Sequence, residues 1–282
     1  MPLVFGRSIL GFGVVAGPPA PTWTDPDIAN ASYDSVSFRV ATQDTIPRTA
    51  TFKDDGTKMY MLGQNSDKIH QYSLSTAWDL STASYDSVTF SVATQTGFAA
   101  EFWWSTDGDY FYVVDIIGSA VIFQYNLTTA WDLSTASYAN KSFDPSEENG
   151  PIIIGFKSDG TKVYIGGNFN DTLYQYSLST AWDISTASYD SKSLSYSSQL
   201  GNAQGLFISP NGDKVWIVGA LSENTVYEYG LTTPWDMSTG SYSSISKTLS
   251  EDNNIQSLFF KSDGSKLYAM GGQNDRVYQY ST

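Results

Sequence analysis

Two acidic residues stand at a spacing that could support chemistry. Glu101 and Asp115 lie seven residues before and after Gly108, so a hairpin turning at Gly108 would bring them about opposite each other. Paired carboxylates hydrolyse glycosidic bonds in many enzymes, and they can also hold a cation or a sugar hydroxyl. Acids solvated on a strongly acidic surface are the alternative explanation. Because the sequence offers no nucleophile with a base partner, we predict that the protein is not an enzyme.

A second set of polar side chains lies in loops between apolar segments. These candidates for ligand contacts are Asn65, Asp67, Asn168, Asn170, Asp171, Asn274 and Asp275. Amide and carboxylate groups near an occasional aromatic ring suit sugar hydroxyls. The same residue types also dominate hairpin loops because they form turns, and turn formation is the favoured interpretation.

The composition excludes several other kinds of site. The 282 residues contain 15 Lys and Arg against 29 Asp and Glu, a formal net charge of −14. This charge repels phosphate backbones, so nucleic acid is not an expected partner. With no cysteine and a single histidine, His70, we predict no metal and no cofactor. The most apolar stretch, residues 4–15, is too short and too interrupted by glycine to span a membrane, so no membrane partner is predicted.

The elements that must position these residues repeat along the chain. Asp-Gly or Asn-Gly dipeptides recur every 52 residues, at Gly56, Gly108, Gly160, Gly212 and Gly264. Trp-Asp pairs recur in the loops, at Trp78, Trp131, Trp182 and Trp235, and Trp23 stands in the same role. These tryptophans could form sugar-stacking platforms, but burial is the favoured interpretation. Each unit reads as four short strands without a helix start signal, which is typical of a β-propeller blade.

The two ends of the chain predict how the ring closes. The last unit stops at Thr282, one strand short of the others, while residues 33–40 match residues 85–92 nearly residue for residue. A strand from the N-terminal end would complete the last blade and remove an exposed strand edge. We therefore predict an all-β fold: a five-bladed β-propeller of four-stranded blades over residues 23–282, closed by pairing the N-terminal strand with the C-terminal three strands and preceded by an extended arm over residues 1–22.

The arm has no counterpart in the repeat. Its apolar side chains are Val4, Phe5, Ile9, Leu10, Phe12, Val14 and Val15. An exposed apolar stretch of this kind should be covered, either by its own propeller or by a neighbouring subunit or larger particle. The proline-rich joint at residues 18–21 favours the second, so residues 1–20 are predicted to anchor the protein in an assembly.

The repeat unit resembles a known group of propellers. Residues 156–191, FKSDGTKVYIGG…YQYSLSTAWDISTASYDS, are similar to repeat propellers often encoded by marine bacteriophages and, more distantly, to lactonase-like propeller repeats. The resemblance covers residues 23–282 and implies a non-enzymatic protein of the virion surface: a fibre, tail appendage or capsid decoration. Its expected partners are other virion proteins, through residues 1–20, and host surface glycans. A free or cell-surface lectin or adhesin is the alternative, and a glycosidase using Glu101 is the third hypothesis.

Overall fold

The computed structural model describes residues 22–116, 120–219 and 224–282. Residues 1–21, which carry the predicted anchor, lie outside this range, so that role stays a prediction. Within the described residues the chain forms twenty β-strands and five one-turn 3₁₀ helices. No helix in this part of the chain has the length and apolar character needed to cross a bilayer.

The strands group into five antiparallel four-stranded sheets, and these are the blades. The first blade contains β2 (Pro47–Phe52), β3 (Lys58–Gly63), β4 (Lys68–Leu74) and β5 (Ala83–Ser91), and the second contains β6 (Ala99–Trp104), β7 (Tyr110–Asp115), β8 (Ile122–Leu127) and β9 (Ala136–Phe143). The third contains β10 (Pro151–Phe156), β11 (Lys162–Gly167), β12 (Thr172–Leu178) and β13 (Ala187–Ser195), and the fourth contains β14 (Ala203–Ile208), β15 (Lys214–Gly219), β16 (Thr225–Leu231) and β17 (Gly240–Thr248). The fifth contains β18 (Ile255–Phe260), β19 (Lys266–Gly271), β20 (Arg276–Ser281) and β1 (Ser32–Arg39). The 3₁₀ helices are Ile28–Asn30, Leu80–Thr82, Leu133–Thr135, Ile184–Thr186 and Met237–Thr239.

The predicted ring closure is confirmed. Strand β1 pairs antiparallel with β20, in the sheet order β1-β20-β19-β18. We call this junction between β1 and β20 the seam. The side chain of Asp34 stabilises it, since its carboxylate accepts hydrogen bonds from Lys266 at 2.7 Å and from Ser281 at 2.7 Å. The chain therefore forms the five-bladed propeller that the repeat predicts.

The five inner strands, β2, β6, β10, β14 and β18, contact one another around a central channel. They all run in the same sense, so one face of the ring carries their starts and the other carries the turns that follow their ends. We call these the upper face and the lower face. Each inner strand also has a register irregularity near its start, between Pro47 and Thr49 in β2 and at the same place in the other four. A bulge changes the direction in which the side chain of the extra residue points, and here these side chains lie at the upper end of the channel.

Neighbouring blades are joined by hydrogen bonds that the repeat supplies. The hydroxyl of Tyr268 in the fifth blade donates to the carbonyl oxygen of Trp78 in the first, at 2.6 Å. The amide oxygen of Gln279 accepts the N–H of Leu80 across the same junction, at 3.1 Å. Equivalent tyrosine bonds join other blades: Tyr60 to Trp131, Tyr112 to Trp182 and Tyr164 to Trp235. In these four blades the tyrosine after the turn thus fills the gap between blades and also bonds across it. Trp216 holds this position in the fourth blade and donates instead to Glu228 of its own blade.

Candidate functional site

The two acids singled out in the second blade are both buried. Glu101 in β6 is 2% exposed, and its Oε2 accepts the backbone N–H of Ile154 in the next inner strand, at 3.1 Å. Asp115 at the end of β7 is 4% exposed and accepts the hydroxyl of Thr96 at 2.6 Å. Because of the bulge, Glu101 pairs with Val114 rather than with Asp115. The two acids are therefore not solvated surface groups, and each carboxylate is hydrogen-bonded to a different part of the scaffold.

The candidate residues of the variable loops lie on the upper face in three separate blades. Asp67, Asp171 and Asp275 have φ of 48°, 47° and 53°, and their carbonyl oxygens accept backbone N–H groups from Val92, Tyr196 and Val40. The amides of Asn168, Asn170 and Asn274 donate to Asn202, Glu147 and Glu251, while the side chain of Asn65 is exposed. Most of these residues hold the loops together, so they form no single site, and their role as ligand contacts stays a prediction.

An arginine crosses the upper end of the channel. Arg48 occupies the bulge of β2, and its guanidinium donates to Gln256 Oε1 at 2.5 Å, to Gln204 Oε1 at 3.0 Å and to the Ala100 carbonyl at 3.4 Å. Burial lowers the pKa of Arg48 to about 10, and the nearby Glu101 opposes this shift. The first blade is thereby bonded to the second, fourth and fifth, and this polar network spans the channel.

The lower part of the channel is an aromatic cavity of about 360 Å³. Seven of the eight tryptophans of the chain line it: Trp23, Trp78, Trp103, Trp104, Trp131, Trp182 and Trp235. Phe207 packs deep in the cavity against Trp103, with ring centroids 6.4 Å apart, and against Phe259, at 5.7 Å. The network around Arg48 spans one end of the channel, so the cavity is reached from the lower face.

The mouth of the aromatic cavity is a ring of small or polar residues, one from each blade. They hold the position two residues before the turn glycine: Asp54, Thr106, Ser158, Pro210 and Ser262. Asp54 is the single charged member. Desolvation by the neighbouring rings, with repulsion from Asp55, raises the pKa of Asp54 to about 6, and Lys53 opposes the shift. The site thus combines aromatic walls with hydroxyl groups and one carboxyl at the entrance.

The loop tryptophans reach the cavity because of an unusual backbone conformation. Trp182 has φ of 64°, a left-handed value that is rare for a bulky residue, and Trp78, Trp131 and Trp235 share it. The N–H of Trp182 donates to the carbonyl oxygen of Gly160 at 3.0 Å, and its ring covers that glycine so closely that a Cβ there would lie 2.4 Å from the indole. Asp183 then accepts the N–H and hydroxyl of Ser185, which holds the loop in place. These tryptophans are thus packed on the turns and also form the cavity wall.

Two parts of this site were not found from the sequence. The role of Arg48 depends on the bulge in β2, which the sequence does not show. The repeat does carry a signal for this polar network, because the position eight residues before the turn glycine is Arg48 in the first blade, Gln204 in the fourth and Gln256 in the fifth. The deep aromatic rings of Trp103, Phe207 and Phe259 share the position five residues before the glycine, which was equally readable. Within the described ranges, no group of three or more His, Cys, Asp or Glu side chains could hold a metal ion.

Several solved structures are similar to this chain. A protein of Bacteroides uniformis ATCC 8492, provisionally named 6-phosphogluconolactonase, is 12% identical with a TM-score of 0.51, over 82% of this chain and 65% of that protein. A functionally unknown protein of Desulfotomaculum acetoxidans DSM 771 is 10% identical with a TM-score of 0.49, over 80% of this chain and 62% of that protein. A Bacteroides fragilis NCTC 9343 protein with the same provisional name as the first is 15% identical with a TM-score of 0.47, over 72% and 55%.

The chain thus spans less than two thirds of the length of each of these proteins. At such identities the similarity shows the fold alone. No family model and no curated protein sequence matches this chain.

Proposed function

We propose that this protein is a non-enzymatic surface protein of a bacteriophage virion that binds a saccharide in its aromatic cavity. The observation that supports saccharide binding is the convergence of seven tryptophans on one open cavity with a polar mouth. The virion assignment is supported by the resemblance of the repeat units. As a fibre, tail appendage or capsid decoration, the protein would expose its propeller and bind the particle through residues 1–20.

The chemistry of the aromatic cavity suits a sugar ring. Pockets for small ligands combine apolar and aromatic walls with a few polar groups that fix orientation. The faces of a pyranose are largely C–H groups and can stack on tryptophan, while its hydroxyls can bond the carboxyl of Asp54 and the hydroxyls of Thr106, Ser158 and Ser262 at the mouth. The volume of about 360 Å³ is at the lower end of the range of typical ligand pockets, which suits one or two sugar residues.

Two catalytic alternatives have less support. The provisional name of the Bacteroides proteins suggests lactone hydrolysis, and the acids of the second blade suggest glycoside hydrolysis. In this chain the donors of Arg48 are bonded to Gln204, Gln256 and Ala100, and Glu101 is bonded to Ile154. We therefore expect no hydrolysis of 6-phosphogluconolactone or of aryl glycosides. Turnover by the wild type that Glu101→Gln abolishes would support the enzymatic alternative.

A glycan array with mouth-blocking variants tests saccharide binding. We expect wild-type protein to bind a subset of glycans and Ser158→Tyr combined with Ser262→Tyr to bind none of them, because the two rings would fill the mouth. Asn211→Tyr is the matched control, since Asn211 is an exposed turn residue that does not line the cavity. Flat binding to every glycan by the wild type would refute this part of the proposal.

Deletion of residues 1–20 tests the virion assignment and separates it from the alternative of a free or cell-surface lectin. We expect the truncated protein to fold and to bind the same glycans, but to be lost from assembled particles. Incorporation of the truncated protein as efficiently as the full chain would contradict the anchor.

A further inference from the structure

Two arginines face each other at the seam of the ring. Arg39, the last residue of β1, is the cross-strand partner of Arg276, the first residue of β20. Residues directly opposite on antiparallel strands have Cβ atoms about 4.5–5.5 Å apart, and like charges there repel. Arg39 is exposed, and Arg276 is half-buried and donates to the hydroxyl of Ser37 at 2.9 Å. The chain has only four arginines, so the pairing of two of them is a specific feature of this seam.

The pair has no counterpart in the first, third or fourth blade. The equivalent cross-strand pairs are Lys68 with Ser91, Thr172 with Ser195, and Thr225 with Thr248. The first of these pairs contains one charged residue and the other two contain only hydroxyl side chains. Because those blades form the same sheet without two cations at this position, the arginines are not needed to build the fifth blade.

The two arginines also lack the ion pairs that other cations of the protein form. Between described residues, every ion pair with N to O within 4.0 Å uses a lysine, although the chain carries 29 acids. Two acids do line the same groove, Asp275 and Glu251. The carboxylate of Asp275 interacts with Arg39 through its charge but forms no ion pair within 4.0 Å, while Glu251 accepts the hydroxyl of Tyr280 at 2.6 Å. Both guanidinium groups therefore keep donors for a ligand.

The arginines open onto a groove of about 600 Å³, which we call the seam groove. Besides Arg39 and Arg276 it is lined by Tyr33, Ser37, Glu251, Gln273, Asn274, Asp275 and Tyr278. A guanidinium binds a carboxylate through two parallel hydrogen bonds, which a lysine cannot do. The half-buried ring of Tyr33 packs against Tyr278 and Tyr280 and forms part of the groove wall, while Gln273 is exposed.

We propose that the seam groove binds the carboxylate of an acidic sugar, such as a uronic acid, between Arg39 and Arg276. The amide of Gln273 and the amide oxygen of Asn274 contact its hydroxyls, since the N–H₂ of Asn274 donates to Glu251 and Tyr278. This inference extends the proposed glycan binding to a second site, and it stands on contacts separate from those of the aromatic cavity.

Calorimetric titration of the full chain with sodium D-glucuronate tests the proposal, with D-glucose as the neutral match and inorganic phosphate as another oxyanion. We expect glucuronate to bind at least about tenfold more tightly than glucose, and Arg39→Gln or Arg276→Gln to weaken it by about tenfold or more, since each removes a charge-assisted contact. The control Lys68→Gln, at the position of Arg276 in the first blade, should leave binding unchanged. So should the double substitution Ser158→Tyr and Ser262→Tyr, which separates this site from the aromatic cavity.

Thermal unfolding of the same variants provides a second measurement. Relief of the like-charge pair should leave the midpoint of Arg39→Gln and Arg276→Gln equal to or above that of the wild type at low salt. Lowered midpoints in both variants would indicate a structural role and overturn the proposal. Equal binding of glucose and glucuronate, unchanged glucuronate binding in both arginine variants, or tighter binding of phosphate than of glucuronate would each overturn it as well.

Discussion

The carboxyl group of Glu101 and the guanidinium of Arg48 lie in the same channel and respond to burial in opposite directions. Burial raises the pKa of Glu101 well above its usual range, and it lowers the pKa of Arg48 to about 10. Each group also moderates the shift of the other through its charge. The hydrogen bonds of both groups go to other blades, so their main effect is on the assembly of the ring.

Substitution of Glu101 should therefore change stability according to whether an acceptor is kept. Glu101→Gln retains an oxygen for the N–H of Ile154 and cannot ionise, so we expect its free energy of unfolding at pH 7 to lie within about 1 kcal/mol of the wild type. Glu101→Ala leaves that N–H unsatisfied and should cost about 2–3 kcal/mol. Urea denaturation measures both. Equal losses in the two variants would contradict the assigned hydrogen bond.

Asp54 at the cavity mouth should make the free energy of unfolding depend on pH, and the direction of its pKa shift determines the sign. Its folded-state pKa of about 6 is above the unfolded value of about 3.9. The unfolded chain loses the proton first, so the contribution of this group to stability is present at low pH and is lost as pH rises from about 4 to 6. Because the side chain is partly exposed, we expect an effect below about 1 kcal/mol.

Asp54→Asn should flatten the pH profile of the unfolding free energy between pH 4 and 7. Asp159 supplies the opposite control. Burial opposes its ionisation, but bonds from Lys157 and Thr161 outweigh this and lower its pKa to about 2. Asp159→Asn should therefore be less stable than the wild type above about pH 4, and this difference should shrink as pH falls from about 4 to 2. Parallel profiles for the wild type and Asp54→Asn would contradict the raised pKa.

At the scale of the elements, the turn glycine and the loop tryptophan form one unit in four of the five blades. In the fifth, a Cβ on Gly264 would meet the carbonyl oxygen of Thr24 instead of an indole ring. Gly160 has φ of 70°, where side chains are strained, and the ring of Trp182 occupies the space that a Cβ would need. The tryptophan is itself held in a left-handed conformation, which costs about 1–2 kcal/mol and must be offset by its packing. The same arrangement in the first, second and fourth blades positions Trp78, Trp131 and Trp235 in the cavity wall.

Gly160→Ala should lower the free energy of unfolding by about 2 kcal/mol or more, from backbone strain and displacement of Trp182. The matched control is Gly230→Ala, whose Cβ would meet its nearest neighbour, Ser243, at an ordinary 3.5 Å. That variant should be neutral or slightly stabilising, since glycine is unfavourable within a strand. Chemical denaturation of both variants checks the difference, and similar midpoints would argue against the tryptophan and glycine unit.

Local sequence patterns predict most of these elements. The turn glycines, the four strands of each unit and the match of residues 33–40 to residues 85–92 are visible because each depends on residues close in sequence. The cavity depends on two features that periodicity does not reveal. The left-handed φ of Trp182 turns its ring toward the channel, and the bulge in β2 re-aims Arg48 by a single residue. Residue type alone therefore suggested burial for the tryptophans and gave no role to the arginine.

At the scale of the whole molecule, ring closure determines where ligands can bind. The hydrogen bonds of Asp34 at the seam and of Tyr268 and Gln279 between the fifth and first blades hold the inner strands at fixed spacing around the channel. The network around Arg48 crosses one end of that channel, and the aromatic cavity occupies the other. The seam groove exists only because the last blade combines strands from both ends of the chain.

Fluorine NMR of protein labelled with 5-fluorotryptophan tests the central claim, saccharide binding in the aromatic cavity, most directly. Seven of the eight tryptophans line this cavity, while Trp216 is fully buried behind its wall, packed against Trp23 and Phe207. Titration with the strongest glycan from the array should shift the resonances of the cavity tryptophans, assigned by single Trp→Phe substitutions, and leave Trp216 least affected. Saturating glycan that leaves all eight resonances unchanged would contradict binding in the cavity.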